Sequence, residues 1–426
     1  MQHNVRHVTL KNGAEGLYID MPGAGVVAID IVFRAGDYLS PAGKTDTAHV
    51  MEHLVLGANK KYPSSKEYSR EFSKYGAYNN AYTGDYHMGY EAECEASEAA
   101  RITDLLCDAI EAPLFTQTDF IAEIGNVREE LKMRRNNDDV ELSLMLEDAM
   151  GFVPKSFKQR ESELSAITLA DVHAHYKKTH TSSNMRFVIA GPMDHLQKPI
   201  TERLASIALP KGTGYIELPD EQPKQLKSPL LVRNANLDNL CYRWEAVLPM
   251  FSSLVQRDSL SALQELLFNG IHSRVFGDLR EKGLVYGIFG SNYETKHNVV
   301  NVISGQVQTA NIADVFEILH KEIATIANNG LPEKEVQDLR KRAYGEVQRY
   351  NQTASQLSGW YRQPFITRNE IIYFDAFAER LEHVTSSSIQ AIAQAILEAP
   401  IDGLGIMHND TEVPDARQLF AKLKQG

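Results

Sequence analysis

Apolar and polar residues alternate in short stretches at the start of the chain. Positions 5–10, 16–20 and 26–33 carry the two-residue period of half-buried strands. From about 47 to 56 the spacing lengthens to three and four, which predicts a helix. A segment rich in Gly, Asn and Tyr follows at 76–93 and reads as extended. Helical periodicity then fills 96–112, 117–136 and 141–150, and a helix at 169–178 leads into a strand at 185–190 closed by Gly191.

The second half repeats this order. Strand patterns at 230–232 and 240–247 precede a helix at 256–267, an extended segment at 286–307 and helices at 312–328 and 333–349. A helix at 387–397 then leads to a strand at 403–407. Ala190 and Met407 end equivalent strands, an offset of 407 − 190 = 217 residues, about half the chain. This is a duplicated domain and not a solenoid period. Strands in hairpin-like succession followed by runs of helices predict an α+β class, each copy an antiparallel-rich mixed sheet with helices packed on it. The segment 209–228 holds three prolines and two glycines and suits an exposed linker. The expected division is therefore a domain at 1–208, a linker at 209–228 and a homologous domain at 229–426.

Composition narrows the function. The 426 residues carry 44 Lys and Arg against 56 Asp and Glu, a net charge of −12. That balance argues against nucleic acid and anionic membranes as partners. No apolar run approaches the roughly 18–20 residues of a transmembrane helix. Cys94, Cys107 and Cys241 are too few and too widely spaced for a disulfide framework or a cysteine zinc site. The expected setting is reduced and cytoplasmic.

The densest chemistry is His49-Val50-Met51-Glu52-His53. Residues four apart share a helix face, so both imidazoles can bind one metal ion. Glu52 stands beside the second of them, near enough to act on a water. Imidazoles suit zinc, which lowers the pKa of bound water toward about 7 when a coordination position is open. Thr45, Asp46 and Thr47 offer oxygens to cap this helix. A tetrahedral site needs a third ligand. Glu123, Glu129 and Glu130 lie on one predicted helix, with Glu123 and Glu130 on the same face. The residues alone leave these three open. The second half has no HxxEH, and His272 stands alone there. His173, His175 and His180 cluster at a helix end, 173 and 175 fall on different helix faces, and all three read as solvent-exposed, while Cys107 reads as core.

HVMEH followed by Glu130, with 76 residues between His53 and Glu130, resembles the signature of the insulinase/pitrilysin family of zinc peptidases. Gly76 to Thr83 resembles that family's edge strand, whose Asn-Ala-x-Thr borders the active site. The resemblance spans essentially the whole chain. It implies one zinc per chain held by His49, His53 and Glu130, with Glu52 as general base and Glu123 as a further active-site acid. Asn80, Ala81 and Thr83 are the implied substrate-binding residues. In the second half, 279–286 is similar to the family's Arg…Gly-Leu-x-Tyr segment, whose Arg and Tyr reach substrate, here Arg280 and Tyr286. A cation and a phenol can orient a peptide and stabilise an oxyanion. Three departures stand out. Asp46 replaces a usual Gly, Gly57-Ala58 replaces a frequent Gly-Thr, and Arg280 and Tyr286 are six residues apart where seven is common.

The function these features imply is a zinc endopeptidase that cleaves unfolded peptides in a chamber. The peptide would add as a strand at the edge near Asn80–Thr83. Similarity to single-module relatives implies a homodimer. The rival expectation is a non-catalytic subunit, or one half of a heterodimeric processing peptidase. Such subunits usually lose part of HxxEH or the Arg/Tyr pair, and this chain keeps both.

Overall fold

A computed structural model describes residues 2–409, 413 and 415–425. The strands are β1 (Asn4–Thr9), β2 (Glu15–Asp20), β3 (Val26–Phe33), β4 (Tyr78–Thr83), β5 (Met88–Glu95), β6 (Met185–Gly191), β7 (Leu230–Arg233), β8 (Leu240–Pro249), β9 (Val285–Glu294), β10 (Asn298–Val307) and β11 (Ile401–His408). The helices of the first half are α1 (Thr47–Val55), α2 (Ser65–Ser73), α3 (Ala99–Glu111), α4 (Gln117–Arg134), α5 (Asp138–Ala149), α6 (Phe157–Glu163), α7 (Leu169–Thr179) and α8 (Gln197–Ala205). Those of the second are α9 (Leu254–Phe268), α10 (Phe276–Glu281), α11 (Ile312–Asn329), α12 (Glu333–Tyr350), α13 (Ala354–Arg368), α14 (Phe377–Leu381), α15 (Ser386–Leu397) and α16 (Ala416–Gln425).

The architecture is α+β with two sheets. The first runs β1-β2-β6-β3-β5-β4 and the second β7-β11-β8-β10-β9. Each is antiparallel apart from one parallel pair, β2 with β6 and β7 with β11. Strands β2, β6, β3, β5 and β4 thus correspond in order to β7, β11, β8, β10 and β9, the repeat expected from the 217-residue offset.

The chain divides into two compact units, and neither is contiguous. Unit 1 comprises Met1–Lys132, Lys158–Pro219 and Gln348–Phe374, and unit 2 comprises Met133–Phe157, Asp220–Val347 and Asp375–Gly426. The division at Pro219/Asp220 falls inside the expected linker. The segments 133–157 and 348–374, however, belong with the other half from the one expected by sequence order. In unit 1, α13 covers β3 and β6. It is anchored where Ser358 Oγ donates to Asp30 Oδ2 at 2.6 Å and Arg362 pairs with Asp30. The Arg362 guanidinium also lies 5.3 Å from the centre of the Tyr82 ring, which ties the helix to β4. In unit 2, α5 lies on β8 and β11. Gly403 is required there, because a Cβ would fall 2.5 Å from the Met150 sulfur. The central strand carries a buried Glu245, bonded by Arg243 Nε at 2.6 Å and by the Tyr293 hydroxyl at 3.2 Å.

The expected exposed linker is strapped down. In unit 1 the Tyr215 ring is sandwiched between Arg34 and Arg186, 3.9 and 4.0 Å from the two guanidinium carbons, and its hydroxyl donates to the Ile366 carbonyl at 2.7 Å. In unit 2, Lys224 N–H donates to the Met150 carbonyl at 2.8 Å. Proline kept these residues out of regular elements without keeping them loose.

A fragment of residues 1–219 lacks α13, leaving Asp30 without its partners and an apolar sheet face open to water. Calorimetry should find no cooperative thermal transition for this fragment, in contrast to the full chain. A cooperative melt at the full-chain temperature would show that α13 is dispensable to the first sheet.

Candidate metal centre

The site is built on α1, α4 and β4, all in unit 1. Helix α1 buries Ala48, Val50, Met51, Leu54 and Val55, which fixes the direction of its histidine face. None of the three expected capping oxygens accepts from the α1 backbone. Thr45 Oγ1 donates to Glu163 Oε2 at 2.8 Å, Thr47 Oγ1 donates to the Lys44 carbonyl at 2.7 Å, and the Asp46 carboxylate is turned elsewhere. The cap comes from the preceding turn, where Ser40 Oγ accepts from Ala48 N–H at 3.3 Å.

His49, His53 and Glu130 form one group whose ligand atoms lie within 4.8 Å of one another. Glu130 Oε2 is 3.3 Å from His49 Nε2 and 3.7 Å from His53 Nε2. Ligand atoms about 3.4 Å apart are what tetrahedral geometry with bonds of about 2.1 Å requires, so these residues fit zinc. Both Nε2 atoms face Glu130, and both Nδ1 atoms lie against a carboxylate. His53 Nδ1 is 2.8 Å from Glu123 Oε2, and His49 Nδ1 is 3.2 Å from Asp46 Oδ1. A carboxylate behind each ligating imidazole fixes the tautomer and raises ligand basicity. Of the three acids the sequence left open on α4, Glu130 faces both imidazoles and Glu123 stands behind one. Glu129 is exposed and pairs with Lys132 at 2.7 Å.

Burial alone would lower both histidine pKa values. Hydrogen bonds outweigh it: Asp46 and Glu130 bring His49 up to about 9, and Glu123 and Glu130 bring His53 up to about 10. The bond from His53 holds Glu123 below the usual carboxylate range. Burial would raise Asp46, but bonds from His49 and Arg160 together with the Arg160 charge bring it down to about 2.

Thr83 Oγ1 donates to Glu52 Oε2 at 2.7 Å, fixing one carboxylate oxygen and leaving the other to be used. Strand β4 is an edge of its sheet, so one side of its backbone lies outside the ladder. Ala81 shares the Thr83 face by alternation, whereas exposed Asn80 lies on the opposite face, in register with Glu91. Arg280 and Tyr286 lie in unit 2. Tyr286 is the extra residue of a bulge, since Val285 pairs with Val307 and Gly287 with Gln306, and it is 85% exposed. Bulges re-aim side chains in this way. Arg280 sits 4.8 Å from the Tyr286 ring centre and donates to its carbonyl at 3.4 Å, so the six-residue spacing still brings the two together.

Two of the histidines expected to be exposed are buried. His175 bonds the Ala35 carbonyl at 2.9 Å, and His180 bonds the Tyr90 hydroxyl at 2.8 Å. Both are held neutral by burial, which lowers them to about 4 and about 3. His180 also stacks on Phe33 of β3 and on Tyr176, so the C-terminal end of α7 is closed against the first sheet. Sequence reasoning missed the hydrogen-bonding role of Asp46 and its pairing with Arg160; the departure from Gly at that position was the available signal.

Residues 17–156 match the family model described as Insulinase (Peptidase family M16), and residues 166–343 match that of the Peptidase M16 inactive domain. The chain is similar to an uncharacterized zinc protease of Rickettsia felis, 24% identical over 334 residues that cover 76% of this chain and 78% of the relative. It is also similar to the uncharacterized zinc protease YmxG of Bacillus subtilis, 22% identical over 350 residues that cover 80% and 83% of the two chains. Among solved structures, a protease from Helicobacter pylori shares the fold with a TM-score of 0.83 at 16% identity, covering 96% of this chain and 100% of the other.

Metal uptake should follow from this geometry. Elemental analysis of Glu130→Ala after dialysis should find strong loss of zinc, and full occupancy would exclude Glu130 as a ligand. Uptake at pH 7 should also release protons, because pKa values of about 9 and about 10 keep both metal-free imidazoles protonated there. Calorimetric titration in buffers of different ionisation enthalpy measures that release.

Proposed function

The chain belongs to the insulinase family of peptidases, family M16, and we propose that it is a zinc-dependent endopeptidase acting on unfolded peptides. The observation that supports this most is the joint placement of HxxEH and Glu130 beside an edge strand whose Thr83 holds Glu52. His49, His53 and Glu130 would hold zinc, which supplies Lewis-acid polarisation of the scissile carbonyl and acidifies water.

The residues of the chain do the rest. Backbone groups on the open side of β4 pair with an extended peptide, which favours unfolded substrates and makes side-chain preference loose. Ala81, small and on the Thr83 face, leaves room for the peptide, and Asn80 contributes through its backbone. Glu52 takes a proton from the attacking water and passes it to the leaving amine. Thr83 orients Glu52, and Glu123 orients His53. Arg280 and Tyr286 are assigned to the substrate, the cation gripping its backbone and the phenol donating to the developing oxyanion. Retention of both HxxEH and the Arg/Tyr pair favours this reading over a silent subunit.

Glu52→Gln preserves size and hydrogen bonding while removing the base. It should keep zinc and bind a quenched unstructured peptide yet lose roughly 10²–10⁴-fold in turnover. Near-wild-type cleavage would rule out Glu52 as the base, and a wild-type protein that carries zinc but cleaves no peptide would favour the non-catalytic reading. Tyr286→Phe should lower kcat by on the order of 10²–10³ with zinc content and thermal stability unchanged. An unchanged rate would remove the second half from the chemistry.

A further inference from the structure

We propose that Asp46 is a positioning residue for the metal, holding the His49 imidazole through Nδ1 so that Nε2 is presented toward Glu130, with Arg160 and Asp37 holding Asp46 in turn. The inference rests on the zinc reading of the site and concerns a residue to which neither motif nor family resemblance gives a role.

Four observations carry it. Asp46 is fully buried, 114 residues from Arg160 in sequence, yet the two meet through two bonds: Arg160 Nε donates to Oδ2 at 3.0 Å and Nη2 to Oδ1 at 2.6 Å. Arg160 also meets a second carboxylate, the same Nη2 lying 3.5 Å from Asp37 Oδ2. Asp46 Oδ1, the same oxygen that takes Arg160 Nη2, faces His49 Nδ1 at 3.2 Å. Finally, Asp46 occupies the N-cap position of α1 but makes no capping bond, and Ser40 supplies that bond instead.

The last point separates two explanations. An aspartate at a helix start ordinarily serves the backbone, accepting from the second or third N–H. This one is withdrawn from that use and committed to an imidazole and a guanidinium. Burying a carboxylate is costly unless it is paired and fully hydrogen-bonded. Arg160 meets that requirement, and a bidentate guanidinium also fixes the plane of the carboxylate. The result is a rigid acceptor under a ring that would otherwise be free to rotate. His53 has a counterpart in Glu123, but Glu123 lies on α4 and is partly exposed, whereas Asp46 lies one helical turn before His49 and is enclosed. The chain therefore holds the two imidazoles by different means, one against a neighbouring helix and one against the base of its own helix.

The test is zinc affinity, measured by competition with a chromophoric chelator, for wild type, Asp46→Asn, Asp46→Ala and Glu163→Gln. Asp46→Asn keeps the volume and one acceptor and removes the charge. Its zinc dissociation constant should rise about 10–100-fold, the usual effect of losing a carboxylate behind a ligating histidine, and Asp46→Ala should lose at least as much. Glu163→Gln disturbs the same turn through Thr45 without touching His49, and its affinity should stay within twofold of wild type. Cobalt substitution adds a readout that a purely structural role would not move, since the visible absorption of the cobalt form should change in Asp46→Asn and not in Glu163→Gln.

A wild-type protein that binds no zinc, or binds it equally well after His53→Ala, would overturn the zinc reading itself. A wild-type protein that binds zinc through His53, beside an Asp46→Asn variant of equal affinity and unchanged cobalt spectrum, would overturn only the role of Asp46. If neither Asp46 variant folds, the zinc-loaded wild type decides through nuclear magnetic resonance of ¹⁵N-labelled histidine. A slowly exchanging, far-downfield proton on His49 Nδ1 supports the assignment, and its absence refutes it.

Discussion

Two imidazoles on one helix can chelate a metal only if both present the same nitrogen, in the same direction, at the same time. A histidine ring rotates about two bonds and has two tautomers, so four-residue spacing supplies proximity and little else. In this chain the Nδ1 atoms are tied to Asp46 and Glu123, and that tie turns Nε2 of both rings toward Glu130. Each element around the site serves it. Helix α4 delivers Glu123 and Glu130 from one face, and α6 delivers Arg160 beneath Asp46. Strand β4 brings Thr83 to Glu52.

The duplication shows what such a site costs and what remains without one. Both sheets have the same strand order, and both keep an acid on the central strand under a helix taken from the other half of the chain: Asp30 beneath α13 and Glu245 beside α5. Those acids are matched by Arg362 and Arg243 and belong to packing. The paired histidines of HxxEH, by contrast, occur only in the first copy. In the second copy the corresponding edge strand, β9, carries exposed Tyr286 and Phe289, with a bulge at Tyr286. The shared fold thus carries a candidate metal-binding group in the first copy alone.

Much of this was legible in the sequence because its signals are local. Alternation marked the strands, three-and-four spacing marked the long helices, and the 217-residue offset gave the duplication. HVMEH placed both imidazoles and Glu52. The choice among Glu123, Glu129 and Glu130 did not follow from residues alone, because acids seven apart share a face and only the meeting of α4 with α1 separates their roles. Thr83 and Glu52 come together through a helix lying beside a strand, and Asp46 and Arg160 through a fold that closes 114 residues. Helix α13 carried no legible stripe. Its buried Leu357, Tyr361 and Phe365 share one face at four-residue spacing, but Ser358 and Pro364 lie on that same face and dilute the apolar pattern. The histidines at the end of α7 followed the average behaviour of the residue type in the sequence reading, and contacts with Ala35, Phe33 and Tyr90 bury two of them.

The covering of the first sheet by α13 has a consequence in time. Translation proceeds at roughly 5–20 residues per second, so on the order of ten seconds separate the emergence of residue 219 from that of α13. Through that interval the nascent first half holds its histidines, but Asp30 and Tyr82 still wait for Arg362. The edge strand that carries Thr83 is therefore braced on its far face only when nearly the whole chain has been made.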